Sequence, residues 1–304
     1  MAYMLTTPDQ TGTELLRVLR DEVRGAVADL RDGGHTPEDI HSARKHLKKA
    51  RSVLRLARGP LGKRRRPANE VLRDAGRTLS PLRDQDAMLE ALDKAAPALG
   101  PEAAHALWEE LVRRKDAARS GHDPATVPAV AERLEALEDE MADWVLPGRG
   151  FEPLAEGLEI SYGRGRDLWK RMREDPGPGL LHEWRKRVKD HWYHLRLVVD
   201  AWPEGLAARE AALDHLSDLL GDDHDLAVLR DSLREGPALP ETMGSPEAVD
   251  HLLAGRQREL QREALALGRR VYAEKPKAFR KRAGRYWAAW LAEAEAEADE
   301  RLTD

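Results

Sequence analysis

One basic, amphipathic segment occurs twice in this chain, 141 residues apart, and the copies align without a gap. The first is HSARKHLKKARSVLRL (His41 to Leu56) and the second is HEWRKRVKDHWYHLRL (His182 to Leu197). Seven of the sixteen positions are identical: His41/His182, Arg44/Arg185, Lys45/Lys186, Lys48/Lys189, Leu54/Leu195, Arg55/Arg196 and Leu56/Leu197. A repeated core needs only its apolar positions. Repeated cations need a further reason, and a bound anion supplies one.

Helix geometry separates the two kinds of position. With residue 41 at zero and about 100° per residue, Arg44 lies near 300°, Lys45 near 40°, Lys48 near 340° and Arg55 near 320°. Ala43, Leu47, Ala50 and Leu54 fall at roughly 180–240° on the other side. Each copy therefore predicts a helix with its back in a core and a cationic stripe in front. Like charges at i,i+4 cost a helix a few tenths of a kcal/mol per pair, so a stripe kept twice suggests a ligand that neutralises it.

The same offset relates Leu79-Ser80-Pro81-Leu82-Arg83-Asp84 to Leu220-Gly221-Asp222-Asp223-His224-Asp225. Two blocks in one register predict an internally duplicated, all-α protein. The break at Pro147-Gly148 to Pro153 places the halves at 1–147 and 148–304. Helices are expected at about 13–31, from Thr36-Pro37 to near Gly59-Pro60, and at about 67–78, 82–95, 101–119 and 127–145. In the second half they are expected at about 154–173, 181–200, 206–219, 224–234, 246–272 and 276–300. Residues 236–246 look like a surface loop, as does the stretch holding Lys63 and Arg66.

Net charge is −5, which by itself announces no polyanion partner. The distribution does: His41 to Asn69 holds eleven Lys or Arg and no acid, and Arg269 to Arg285 holds eight against one Glu. Cys is absent, which excludes disulfides and thiolate metal sites and fits a reducing compartment. No apolar run is long enough to span a membrane, and the N-terminal residues do not form a secretory signal. A cytoplasmic location follows as the expectation.

Several candidate sites compete. His41 and His182 head the two stripes and could donate to an anion, gaining charge near pH 6.5 so that binding would tighten between about pH 8 and 6. Asp84 and Asp225 are expected to be structural. His191 and His194, among Trp192 and Tyr193, are expected to pack in a core rather than chelate metal. His224-Asp225 resembles the pair of HD-type metal phosphohydrolases, but its repeat partner is Arg83-Asp84, and Arg does not ligate metal. Trp184, Trp192 and Trp202 could stack on bases, though such residues more often fill a core. No phosphate loop or dinucleotide fingerprint is present.

The duplicated HxxRKxxKxxxxxLRL, the duplicated Leu-small-x-x-basic-Asp and the C-terminal RRVYAEKPKAFRKRAGRYWAAW resemble the CHAD family, the conserved histidine α-helical domain, over about residues 12–292. The resemblance implies two four-helix-bundle halves related by pseudo-twofold symmetry around a basic channel or cleft. It also implies binding of inorganic polyphosphate, with localisation on polyphosphate granules. By resemblance, His41, Arg44, Lys45, Lys48 and Arg55 of the first copy and His182, Arg185, Lys186, Lys189 and Arg196 of the second would line that site. Arg51 belongs to the same basic set but is matched by Trp192, so the site is expected to be electrostatically lopsided. Some members carry a CYTH-type triphosphatase domain with Glu-x-Glu-x-Lys. That motif is absent, so the chain resembles a stand-alone binder with no catalytic residues, metal or cofactor. The alternatives are an RNA-backbone binder, which shares the charges, and a metal-dependent phosphohydrolase.

Overall fold

The computed structural model describes residues 3–32, 36–119, 123–174, 177–235 and 246–303, and no strand occurs among them. The helices are α1 (Thr11–Asp32), α2 (Pro37–Leu56), a single turn α3 (Arg58–Leu61), α4 (Arg65–Thr78), α5 (Pro81–Leu99), α6 (Pro101–Arg119), α7 (Thr126–Ala142), α8 (Glu152–Glu174), α9 (Pro178–Leu197), α10 (Pro203–Glu235), α11 (Pro246–Val271) and α12 (Pro276–Thr303).

The start of α2 follows from its sequence. Thr36 accepts from the Asp39 backbone N–H at 3.2 Å, and the Asp39 carboxylate accepts from the Thr36 N–H at 2.9 Å. Pro37 occupies the first turn, where a missing N–H costs nothing. Such a reciprocal cap contributes about 1 kcal/mol. Ile40, Ala43, Leu47, Ala50 and Leu54 are buried, as their three- and four-residue spacing predicts. The helix ends at Leu56 rather than at Gly59-Pro60, which instead fall inside α3.

Helices α1, α2, α4 and α7 pack in a ring, each against two others, and α8, α9, α10 and α11 do the same. The α5–α6 hairpin leans on the second ring through α10 and α11, and α12 lies along α8. Helices α1 and α2 begin at Thr11 and Pro37, and α8 and α9 begin 141 residues later, at Glu152 and Pro178. One continuous apolar core runs through both rings.

Two helices expected at 206–219 and 224–234 are one, α10. Gly221 costs a helix interior about 1 kcal/mol. Leu216, Leu219, Leu220, Leu226 and Leu229 are buried on either side of it, and that burial outweighs the cost. Lys63 lies in a 3₁₀ turn and Arg66 in the first turn of α4, paired with Glu70, rather than in a loop. The loop expected at 236–246 lies outside the described residues, apart from Pro246, which opens α11.

The α2–α8 crossing is close because Gly157 has no side chain. A Cβ there would stand 2.0 Å from the Leu56 carbonyl oxygen, far inside contact distance. This approach, with α2 against α9, sets the angle at which the two basic helices meet. Among the described residues no helix is long and apolar enough to cross a membrane.

Candidate anion-binding site

Helices α2, α4, α5, α9 and α10 line an open cavity of about 620 Å³. Four residues from each basic helix predicted from the sequence line it: Arg44, Lys48, Arg51 and Arg55 from α2, and His182, Arg185, Lys186 and Lys189 from α9. The other three do not. His41 and Lys45 are exposed beyond its lining, although Lys45 is near enough to repel Lys189. Arg196 stacks over Trp192, 5.0 Å from the ring centroid, with Glu210 beside it at 3.9 Å. Arg55 and Arg196 share a register position but not an environment.

The structure adds four cations that the stripe pattern missed: Arg73 and Arg77 of α4, Lys94 of α5 and Arg187 of α9. Arg73 and Arg77 stand at i,i+4, a weak signal, and Lys94 has no sequence signal at all. Arg187 corresponds in register to His46. His46 instead points to α1 and bonds Glu22 at 2.6 Å.

A buried carboxylate organises the crossing of the two helices. Asp190 accepts from Arg55 at 2.8 Å and from Arg187 at 3.0 Å. Its backbone carbonyl accepts from the Ser52 hydroxyl at 3.3 Å. His194 Nε2 donates to the Ser52 carbonyl at 2.9 Å, which assigns the ring proton to that nitrogen. Arg44 reaches the Gly76 carbonyl and ties α2 to α4. Arg51 donates to the Asn69 side chain at 3.2 Å. Burial, with repulsion from Arg55, Arg73 and Arg187, lowers Arg51 to about 10 despite attraction from Asp190. Burial also lowers Lys189, which lies 4.2 Å from the centroid of the Trp192 ring. Both shifts mark a place where cations are crowded and partly stripped of water.

The α10 wall has the opposite sign. Asp218, Asp222 and Asp225 line the cavity at i, i+4 and i+7, and Lys94 pairs with Asp222. Asp225, expected to be structural, therefore belongs to the cavity wall. Arg83 and Asp84 lie in α5, but their side chains are outside the described ones.

The histidines divide. His191 and His194 are fully buried, as expected for core residues. His182 packs its ring 4.7 Å from that of His224, on the wall between this cavity and a smaller one. Burial, then Lys186 and Arg185, hold the proton affinity of His182 below the ordinary value. This weakens the charge on His182 in the free protein, whereas an anion beside it in the cavity would act in the opposite sense. The aromatics that could stack on bases are largely interior, as core residues are: Trp184, Trp192 and Tyr193 are buried, and Trp202 is exposed outside the cavity lining.

Known proteins resemble this chain in sequence or in fold. The CHAD domain family model matches residues 13–234. PptA from Streptomyces chartreusis is 18% identical with a TM-score of 0.58, over 88% of this chain and 100% of the other. The CHAD domain from the plant Ricinus communis is 20% identical with a TM-score of 0.56, over 90% of this chain and 96% of the other. No curated protein matches the chain significantly. With the family model spanning most of its length, as the twin histidine helices led us to expect, the chain belongs to the CHAD domain family.

Proposed function

We propose that the protein binds inorganic polyphosphate in the cavity between α2 and α9, without turning it over, and that its two halves arose by duplication. The observation that carries the binding is the convergence of both basic stripes, with Arg73, Arg77, Lys94 and Arg187, on one cavity of about 620 Å³. A polyphosphate chain is narrow, flexible and charged at every unit. It can thread a space of that size and exchange condensed counterions for fixed cations, as a nucleic-acid backbone does on a basic surface. Guanidinium forks can grip its oxygens in pairs.

Burial of the aromatics favours polyphosphate over RNA. Sequence-tolerant RNA binding draws on base stacking worth roughly 1–3 kcal/mol per base. Among the described residues the only Phe, Tyr or Trp in the cavity wall is Tyr193, which is 2% exposed. The non-enzymatic reading rests on the sequence: the His224-Asp225 pair is matched in the other half by Arg83-Asp84, and Arg does not ligate metal. Association with polyphosphate granules in the cytoplasm is the cellular counterpart of this proposal.

The test is competition. At about 150 mM salt, long-chain polyphosphate should displace single-stranded RNA of equal total charge, and RNA should not displace polyphosphate. Equal or tighter binding of RNA would reverse the assignment.

A further inference from the structure

The wall formed by α10 is the feature that polyanion binding leaves unexplained, because it presents carboxylates to the space an anion would occupy. Asp218, Asp222 and Asp225 stand on one face of α10 at helical spacing and line the same cavity as the α2 and α9 stripes. An anion that fills the cavity must lie beside them.

Their surroundings are mixed in sign. Lys94 of α5 pairs with Asp222 and also attracts Asp218 and Asp225. Lys189 of α9 attracts Asp218, and Arg185 of α9 attracts Asp225. Against these stand Asp214 beside Asp218, and Glu90 of α5 beside Asp225. Helix α11 addresses α10 elsewhere, through Gln257 and Gln261 at Asp223, Asp250 at Arg230 and Glu263 at His215. Partial loss of solvent, together with acidic neighbours, raises the proton affinity of Asp218 and Asp225 before any ligand arrives.

We propose that this carboxylate face makes the cavity a proton-linked anion site. Filling it with polyphosphate drives protons onto Asp218 and Asp225, so that grip tightens as pH falls from 7 towards 5. The inference rests on the polyphosphate reading above. Its physical basis is linkage. The ligand brings negative charge to the carboxylates and engages Lys94, Lys189 and Arg185, the cations that otherwise hold them ionised. Their proton affinity in the complex then exceeds that in the free protein. Binding takes up protons, and affinity grows as pH falls through the interval between the two states.

Long-chain sodium polyphosphate is the right probe. Its internal phosphates are strong acids, and its few terminal groups contribute little to its charge. Titrations at fixed ionic strength from pH 8 to 5 should give the wild type about a tenfold gain in affinity, the result of taking up roughly half a proton over two pH units. Asp218→Asn with Asp225→Asn should flatten that slope and raise affinity at pH 8 about threefold or more. Asp218→Asn alone, at an exposed position, gives the same reading at smaller amplitude if the double variant is unstable. His41→Ala, outside the cavity lining, should keep the slope. Tight binding with no pH dependence, or a slope that survives in the Asp variants, overturns the inference and leaves the polyphosphate assignment standing. A wild type that binds no polyphosphate at any of these pH values overturns both.

Discussion

Asp190 makes the second basic helix chemically different from the first. Its register partner is Lys49, which pairs with Glu22 at 3.1 Å and faces away from the cavity. Asp190 instead holds Arg55 and Arg187 in place and helps join α2 to α9. Asp190→Asn keeps the shape but removes the charge that these guanidiniums answer. Stability should fall by about 1–3 kcal/mol, because two partly buried cations lose their partner. Affinity for polyphosphate should rise at the same time, since the released guanidiniums add to the site. Urea denaturation and calorimetric titration of the one variant check the two halves of this prediction. A variant that loses stability and affinity together would show that Asp190 acts mainly by positioning.

At the scale of elements, the cavity exists because two helices of the same pattern meet with their cations facing one space. Lys48 of α2 and Lys186 of α9 are exposed members of the two stripes and line the cavity from different helices. Lys48→Glu and Lys186→Glu should each weaken long-chain polyphosphate binding by about tenfold or more, because a charge-assisted hydrogen bond to phosphate gives way to repulsion. Lys63→Glu with Arg66→Glu, on exposed positions outside the cavity, should cost much less. Titration of the three proteins at one salt concentration is the measurement. If the outer pair costs as much as the cavity residues, affinity follows total charge and the convergence of α2 and α9 has no role. The same scale explains why stripe membership read from angles was incomplete. Position 45 lies on the favoured arc, yet its side chain ends outside the lining, and position 196 is turned to Trp192 and Tyr3. An arc of helix is wider than the opening it faces.

Over the whole molecule, buried histidines set the response to acid. His191 lies among Tyr162, Tyr272 and Phe279, with ring centroids 5.3, 6.3 and 5.2 Å away. Burial holds it well below the ordinary histidine range, and burial lowers His194 and His224 to about 4. The unfolded chain takes up protons near the ordinary value of about 6.5, whereas the folded protein does not. The stability held above that pH is therefore lost as pH falls from about 6.5 towards 4. Each fully buried ring should cost up to about 2 kcal/mol by pH 5. The raised carboxylates of α10 act in the opposite sense, so a substitution at the ring is the clean comparison. His191→Phe should narrow the gap between denaturation midpoints at pH 7 and pH 5. An unchanged gap would mean that His191 does not contribute to acid sensitivity.

Local patterns carried the class of fold and the start of the basic helix. The three- and four-residue apolar spacing leaves no alternative to helices, and Thr36-Pro37-Glu38-Asp39 can satisfy the first free N–H groups of α2 by itself. The residues of the twin histidine helices were enough to indicate the CHAD family. What the chain could not reveal locally is which cations share a space. Lys94 joins the cavity from a hairpin packed on the second ring, and Arg73 and Arg77 join it from the helix after α2 and its short turn. The acidic wall was equally hidden, because Asp218, Asp222 and Asp225 look like ordinary surface charges until α10 continues unbroken through Gly221 and sets all three along the cavity. Helix formation depends on neighbours within about four residues, whereas a cavity depends on the crossing of helices far apart in the chain. Close approaches such as Gly157 against Leu56 set those crossings, and only the tertiary structure contains them.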